Sequence, residues 1–365
     1  SNHSLFLQPT ESKEVIELIN TLNPSSVCGP HSIPTKLLRL AATILAAPIS
    51  FIINQSFALG VFPDVLKLAK LVPIYKSGPE DVLSNYRPIS LLSKISKILE
   101  KAMHKRVYTF IERFNMTYEL QFGFRKDHST NHALINFVST VSDVLDRGGF
   151  VGGVFLDLQK AFDTVNFQIL LEKLTIYGIR GVSNKWFESY LKGRKQYVAI
   201  EKVDSEPNNV DCGVPQGSVL GPLLFLLYIN DFHMCISTGI MQHFADDTTV
   251  LYDGRSIKKM RRTMSLEVSS ICDWLFANRL SLNESKTDVV LFRPRRKRCD
   301  ARLTLQVKSK KIFVTNKIKY LGVIFDSNLS WRAQIAELAK KLTRANGLLS
   351  KVRHYVDACT LKTIY

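Results

Sequence analysis

His243-Phe244-Ala245-Asp246-Asp247-Thr248-Thr249-Val250 sets two aspartates between apolar strand formers, the pattern of a hairpin whose two-residue turn is the acidic pair itself. A second stretch, Val154-Phe155-Leu156-Asp157, also ends an apolar run on aspartate, and Leu158-Gln159-Lys160-Ala161-Phe162-Asp163 follows it. Read singly, each is an ordinary strand with a polar tip, because aspartate is a good turn residue. Placed on neighbouring strands, Asp157, Asp246 and Asp247 would converge within ligand distance. Like charges so close are unfavourable unless cations neutralise them. Oxygen-only ligands suit Mg²⁺, which keeps waters and shares its coordination with substrate phosphates. Two such ions clamp the attacking and leaving oxygens of an in-line phosphoryl transfer. No G-x-x-x-x-G-K-[ST], G-x-S-x-G or H-E-x-x-H offers a competing chemistry.

Outward from these runs the hydrophobic period alternates between helix and strand. Residues 11–60 read as helical, with a Pro/Gly turn over 24–34, and helices are expected over 89–113, 129–147, 167–192 and 256–277. A further helix follows Gly221 to about 231, and a terminal one starts near 331. Strands are expected at Phe150–Leu158, 196–203, 208–213, 287–292 and 303–314, with an apolar segment at 318–325. A few non-consecutive strands separated by helices make this an α+β pattern.

The chain has 365 residues, 45% of them apolar, enough for two or three lobes and a sizeable core. Its longest apolar stretch, Leu40 to Ile53, is interrupted and reads as too short to span a bilayer. No leader pattern opens the sequence, so an intracellular protein with no membrane partner is expected. The six cysteines, at 28, 212, 235, 272, 299 and 359, form no C-x-x-C pair and read as reduced, buried small apolar residues. Residues 1–254 carry as many Lys/Arg as Asp/Glu, 24 of each, whereas residues 255–365 carry 25 against 8, the whole net +17. That concentration suggests a surface that holds polyanion, against the plainer reading of a solvated lysine-rich face.

Seven segments stand in register along the chain: Asn85 to Leu92, Gln121 to Arg125, Phe155 to Asp163, Gly213 to Phe225, Phe244-Ala245-Asp246-Asp247, Leu280 to Thr287, and Tyr320-Leu321-Gly322-Val323. Together they resemble the motifs of reverse transcriptases, in the spellings of the non-LTR (LINE-type, Jockey-like) retrotransposon group. The resemblance implies a right-hand polymerase with an N-terminal helical extension over 1–72 and fingers over 73–150. It implies a palm with an antiparallel sheet over 151–326, carrying a fingers-proximal insertion near 185–210. A thumb over 327–365 is expected to be truncated. It implies an RNA-directed DNA polymerase that takes an RNA template, a DNA primer, deoxynucleoside triphosphates and two Mg²⁺, or Mn²⁺ in their place. Target-primed synthesis would occur in the nucleus after cytoplasmic production.

The resemblance also implies residue roles. Asp157, Asp246 and Asp247 would hold metal. Lys286 would protonate the leaving pyrophosphate. Arg87 would grip the triphosphate, Phe162 would exclude a 2′-hydroxyl, and Gln216 and Gly217 would lie against the incoming nucleotide. Arg125, Arg295, Arg296, Lys297, Arg298, Tyr320, Leu321 and Gly322 would contact nucleic acid. A non-catalytic RNA-binding descendant, a group II intron maturase or telomerase-like enzyme, and an RNA-templated RNA polymerase are the competing readings. Intact acids, the motif spellings and Phe162, respectively, weigh against them.

Overall fold

The structure is a computed structural model that describes residues 3–25, 27, 29–30, 33–201, 203–297, 304–307 and 310–364. Three helices open it: α1 (Ser12–Asn20), α2 (Thr35–Leu40) and α3 (Ala42–Leu59). They pack their apolar faces, Val15, Ile19, Leu38, Ala46, Ile53 and Phe57 among them, into one large core. At 18 residues, α3 is long and apolar enough by length and composition alone to cross a membrane, a correction to the shorter stretch expected from sequence. Pro48 and the polar residues do not break the helix. Ser56 on its buried face accepts from the Trp186 indole.

The next strands, β1 (Leu68–Tyr75) and β2 (Tyr86–Leu91), pair antiparallel and replace the helix start expected at 89. Ser93 precedes the next helix in non-helical backbone, and α4 (Lys94–Arg113) follows, then α5 (Thr130–Asp146). After β3 (Phe150–Leu156) come α6 (Phe167–Tyr177) and α7 (Val182–Leu191), one expected helix split at Gly178, which is left-handed with φ +100°. Strands β4 (Arg194–Ile200), β5 (Val203–Asp204) and β6 (Asn208–Val210) join the first sheet, with β4 parallel to β1.

The second half supplies α8 (Gly221–Ile229), β7 (Ile240–Phe244), β8 (Asp247–Gly254), α9 (Ile257–Ala277), β9 (Asp288–Phe292), β10 (Thr304–Val307) and β11 (Lys310–Thr315). These strands and β3 form a six-stranded sheet in the order β10-β11-β9-β3-β8-β7. Pairing is antiparallel from β9 through β7, as expected, but β11 runs parallel to β9, so the sheet is mixed. Every residue of β3 is buried because both faces are covered. One face packs on the main core with Met260 and Met264 of α9. The other packs on Phe137 of α5 and on Ile318, Tyr320 and Phe325 of the hairpin β12 (Lys317–Tyr320) and β13 (Val323–Asp326). Helices α10 (Arg332–Val352) and α11 (Ala358–Ile364) close the chain, and α10 buries none of its residues.

Of the four described cysteines only Cys272 is buried. Cys212 and Cys359 are exposed and Cys235 is intermediate, so the burial expected of them fails. Cys212 lies in an exposed loop and Cys359 on the short terminal helix, where there is no core to enter. Cys28 and Cys299 lie outside the described residues.

Candidate active site

The register of β3 with β8 pairs Leu156 with Thr248, so Asp157 and Asp247 emerge side by side at one end of the sheet. Phe244 pairs with Asp247, which makes the two-residue turn Ala245-Asp246 and not the aspartate pair. Ala245 takes φ +58° while Asp246 keeps a negative φ, a conformation usually given to glycine at the first turn position. Holding a non-glycine residue there costs about 1–3 kcal/mol.

Charge accumulates at this end. Burial pushes the Asp246 carboxyl up, the Asp157 charge adds to it, and Arg87 and Lys76 pull it down. Burial, then Asp246 and Asp157, push Asp247 up to about 6. These carboxylates repel one another, and a cation would relieve all of them. Yet among the described residues no group of three or more His, Cys, Asp or Glu is arranged to hold a metal ion. The expected three-carboxylate convergence within ligand distance is therefore corrected. Asp246 sits in the turn and Asp247 at the first strand position after it, so the two carboxylates are carried by different local backbone. Asp157 and Asp246 remain as a pair.

Asp157 is clamped by a residue whose role sequence reading missed. Asn283 Nδ2 donates to Asp157 Oδ2 at 2.8 Å, and the Asn283 N–H donates to the Asp157 carbonyl at 2.8 Å. Leu158 bridges Leu282 antiparallel beside this pair. The signal was the motif position of Asn283, but the contact spans 126 residues and no local pattern carries it.

The loop of residues 213–220 is fastened on three sides. Ser90 of β2 donates its N–H to the Gln216 carbonyl at 2.7 Å, and a Cβ on Gly217 would lie 2.6 Å from the Ser90 carbonyl oxygen, so only glycine fits there. Gln216 Nε2 donates to Asp163 Oδ1 at 2.8 Å. Burial pushes the Asp163 carboxyl up, and the Gln216 amide opposes that. Glu100, fully buried on α4, accepts from the N–H of Val219 at 2.6 Å and of Leu220 at 3.3 Å, and from Ser96 Oγ at 3.0 Å. Burial pushes its carboxyl up against the pull of Arg194, which is itself buried.

The half-buried Phe162 ring stacks on Phe225 with centroids 4.5 Å apart and meets Phe124 edge-on at 6.0 Å. Arg87 is exposed on β2. Lys76, just past β1 with its N–H on the Asn85 carbonyl, joins it in acting on Asp246 and was missed for want of any pattern around it.

Other expected residues lie elsewhere. Lys286 is exposed, held near Asp157 only through its N–H to the Asn283 carbonyl. Arg125 turns into its own loop, donating to the Tyr118 and Gln121 carbonyls and pairing with Glu112 at 3.8 Å. Tyr320 is a core residue, its ring 5.4 Å from Phe137 and 5.5 Å from Phe155. Burial pushes its phenol up to about 12. Leu321 and Gly322 form the β12–β13 turn, both at positive φ. The Arg295-Arg296-Lys297 run sits at the opposite end of the sheet. Lys297 Nζ donates to the Gly148 carbonyl and lies over the Phe150 ring. The length of β3 puts that about 20 Å from Asp157. Arg298 lies outside the described residues.

Residues 74–325 match the family model described as reverse transcriptase (RNA-dependent DNA polymerase). Among curated proteins, the RNA-directed DNA polymerase from mobile element jockey of Drosophila funebris is 29% identical over 95% of this chain and 39% of its own length. The probable RNA-directed DNA polymerase from transposon X-element of Drosophila melanogaster is 30% identical over 92% of this chain and 37% of its own. The probable RNA-directed DNA polymerase from transposon BS of Drosophila melanogaster is 27% identical over 90% and 37%. The chain thus spans about two fifths of the length of the relatives it matches.

Proposed function

Because the chain belongs to the reverse transcriptase (RNA-dependent DNA polymerase) family, we propose that it copies an RNA template by extending a DNA primer, as the polymerase core of a Jockey-like non-LTR element. The observation that carries this is the register of β3 with β8, which brings Asp157 and Asp247 out together at one end of the sheet beside the Ala245-Asp246 turn, with Arg87 and Lys76 acting on Asp246. Two carboxylates are what Mg²⁺ asks of a protein when the remaining coordination comes from water and triphosphate. Reverse transcriptases generally use divalent ions, and two Mg²⁺, or Mn²⁺, fit this pair. When bound, they lower the charge on the attacking and departing oxygens.

The chain's own residues do the rest. Asn283 fixes the Asp157 carboxylate through its Oδ2. Arg87 and Lys76 bind the triphosphate, Arg through a fork of donors. Gln216, held by Asp163, and Gly217 line the nucleotide, and Phe162 fills the space a 2′-hydroxyl would need. The primer 3′-oxygen bonds to the α-phosphorus as the bond to the β-phosphate oxygen breaks. The hydroxyl proton leaves to solvent, and pyrophosphate departs with a proton that Lys286 supplies.

In this reading residues 1–72 extend the template grip and β1, β2 and β4–β6 belong to the fingers. The six-stranded sheet is the palm, and α10 begins the thumb. The Leu321-Gly322 turn supports the primer. Arg295, Arg296 and Lys297 hold nucleic-acid backbone remote from the chemistry, and Arg125 serves structurally more than by contact. Site of action in the nucleus and target-primed synthesis follow from kinship with mobile elements. Primer extension on an RNA template with Asp157→Asn and Asp246→Asn tests it. Synthesis should vanish while the fold and primer–template binding persist, because the lost charge acts on the transition state. Substantial synthesis in either variant sinks the assignment.

A further inference from the structure

The Gln121-Phe122-Gly123-Phe124-Arg125 motif has no place in the chemistry above, yet it is built tightly against the carboxylate-bearing turn. The Leu120 carbonyl accepts from the His243 N–H at 2.9 Å, and the Phe122 N–H donates to the His243 carbonyl at 2.8 Å, so the segment adds a short parallel bridge to β7 just before Ala245. Gln121 is 2% exposed. Its Oε1 accepts from two backbone donors, the Gly123 N–H at 2.8 Å and the Ala245 N–H at 3.2 Å. A Cβ on Gly123 would lie 2.1 Å from the Ala245 nitrogen and 2.9 Å from its Cα, so the two backbones are in contact with no room between them. Arg125 closes the loop from the far side through the Tyr118 and Gln121 carbonyls.

We propose that Gln121 is a positioning residue, its amide oxygen latching the Ala245 N–H so that the turn keeps Asp246 at its working place beside Asp157. The Phe244–Asp247 pair closes the turn, and the Ala245 N–H is held from outside it. Ala245 holds a left-handed φ without being glycine, and it is buried, so its N–H needs a protein acceptor. Gln121 supplies that acceptor from 124 residues away, and Gly123 lets the latch come close enough to reach. The motif is thus a brace for the carboxylate turn, and Arg125 is spent on the brace. The inference rests on the polymerase reading for its consequence, but the latch itself is observable without synthesis.

The test pairs hydrogen exchange with kinetics in three variants. Gln121→Leu removes the acceptor at similar volume, and Gln121→Glu retains an oxygen there. Gln121→Asn, one methylene too short to reach, takes the place of Gln121→Leu should that variant not fold. Amide exchange in the peptide covering residues 243–248 should rise about tenfold or more in Gln121→Leu, since the Ala245 N–H loses its partner, and stay near the parent in Gln121→Glu. In primer extension with Mg²⁺, kcat should fall about tenfold in Gln121→Leu, while KM for the deoxynucleotide and Kd for primer–template change less than about threefold. Unchanged exchange at 243–248 overturns the latch. A fall in kcat, binding and melting temperature together overturns the positioning role and makes Gln121 a general core residue. Raised exchange in a protein whose parent makes no DNA leaves the latch standing and refutes the polymerase reading instead.

Discussion

Replacing Glu100 by leucine should unlatch the loop that carries Gln216 and cost a large share of the protein's stability. The side chain is fully buried and accepts hydrogen bonds from Ser96, Val219 and Leu220, in the field of the buried Arg194 guanidinium. Leucine fills the space but leaves two backbone donors without an acceptor and removes the carboxyl on which the buried Arg194 guanidinium acts. Removing one member of such a buried arrangement costs about 3–5 kcal/mol. The separate hydrogen-bond losses are part of that figure and are not added to it. In a cooperative unit of this size the melting temperature should drop by roughly 10 °C. Glu100→Gln keeps one oxygen and the shape, and should lose only about 1–2 kcal/mol. Urea denaturation measures both. In the folded Glu100→Gln protein, KM for the deoxynucleotide should rise more than kcat falls if the Gln216 loop lies against the nucleotide as proposed, because that loop is loosened and the carboxylate pair is not. A leucine variant within about 1 kcal/mol of the parent would refute the reasoning, since that is the net worth of a single ordinary hydrogen bond.

Phe162→Ala should raise ribonucleotide use relative to deoxyribonucleotide by roughly tenfold or more, the scale of one small group in a pocket. Competition between the two nucleotides on one primer–template reads this directly, and an unmoved ratio would make the ring simple packing against Phe225. For Asp247 the sign follows from its carboxyl being pushed up to about 6, above its ordinary value. A folded state that holds the proton more tightly loses stability as pH rises through that range. With chelator present, Asp247→Asn should therefore melt above the parent at about pH 7.5, with the gap closing as the pH falls toward 4. Equal melting at both ends would show that the charge cluster carries no strain.

The central strands were legible because they are apolar on both faces and end on acids. Val154 to Asp157 and Phe244 to Asp247 announce themselves without help from the rest of the chain. The turn was misread by one residue. A sequence rule assigns left-handed backbone to Asp before Ala, whereas Ala245 is held in it from outside. Strands β1 and β2 escaped notice because they are only partly buried and pair Pro73 with Pro88, and proline argues against a strand. The fastening of the site was illegible throughout. Asn283 meets Asp157 across 126 residues and Glu100 meets Leu220 across 120, separations at which no periodicity speaks. Helical residues 167–192 were read as continuous because the apolar spacing runs on through Gly178, which ends the first helix in the structure.

The position of β3 in its sheet also fixes when the protein can be finished. Its seven residues are buried on every side, between β8, which begins at Asp247, and β9, which begins at Asp288. On a ribosome adding roughly 5–20 residues per second, the strand waits on the order of ten seconds for its second neighbour. During that wait the strand has both edges open until β8 is made and one edge open until β9 follows, a template for pairing with another nascent chain. A chain that stops before Phe292 lacks a complete β9 and leaves one edge of β3 free, the kind of edge that invites pairing with another chain.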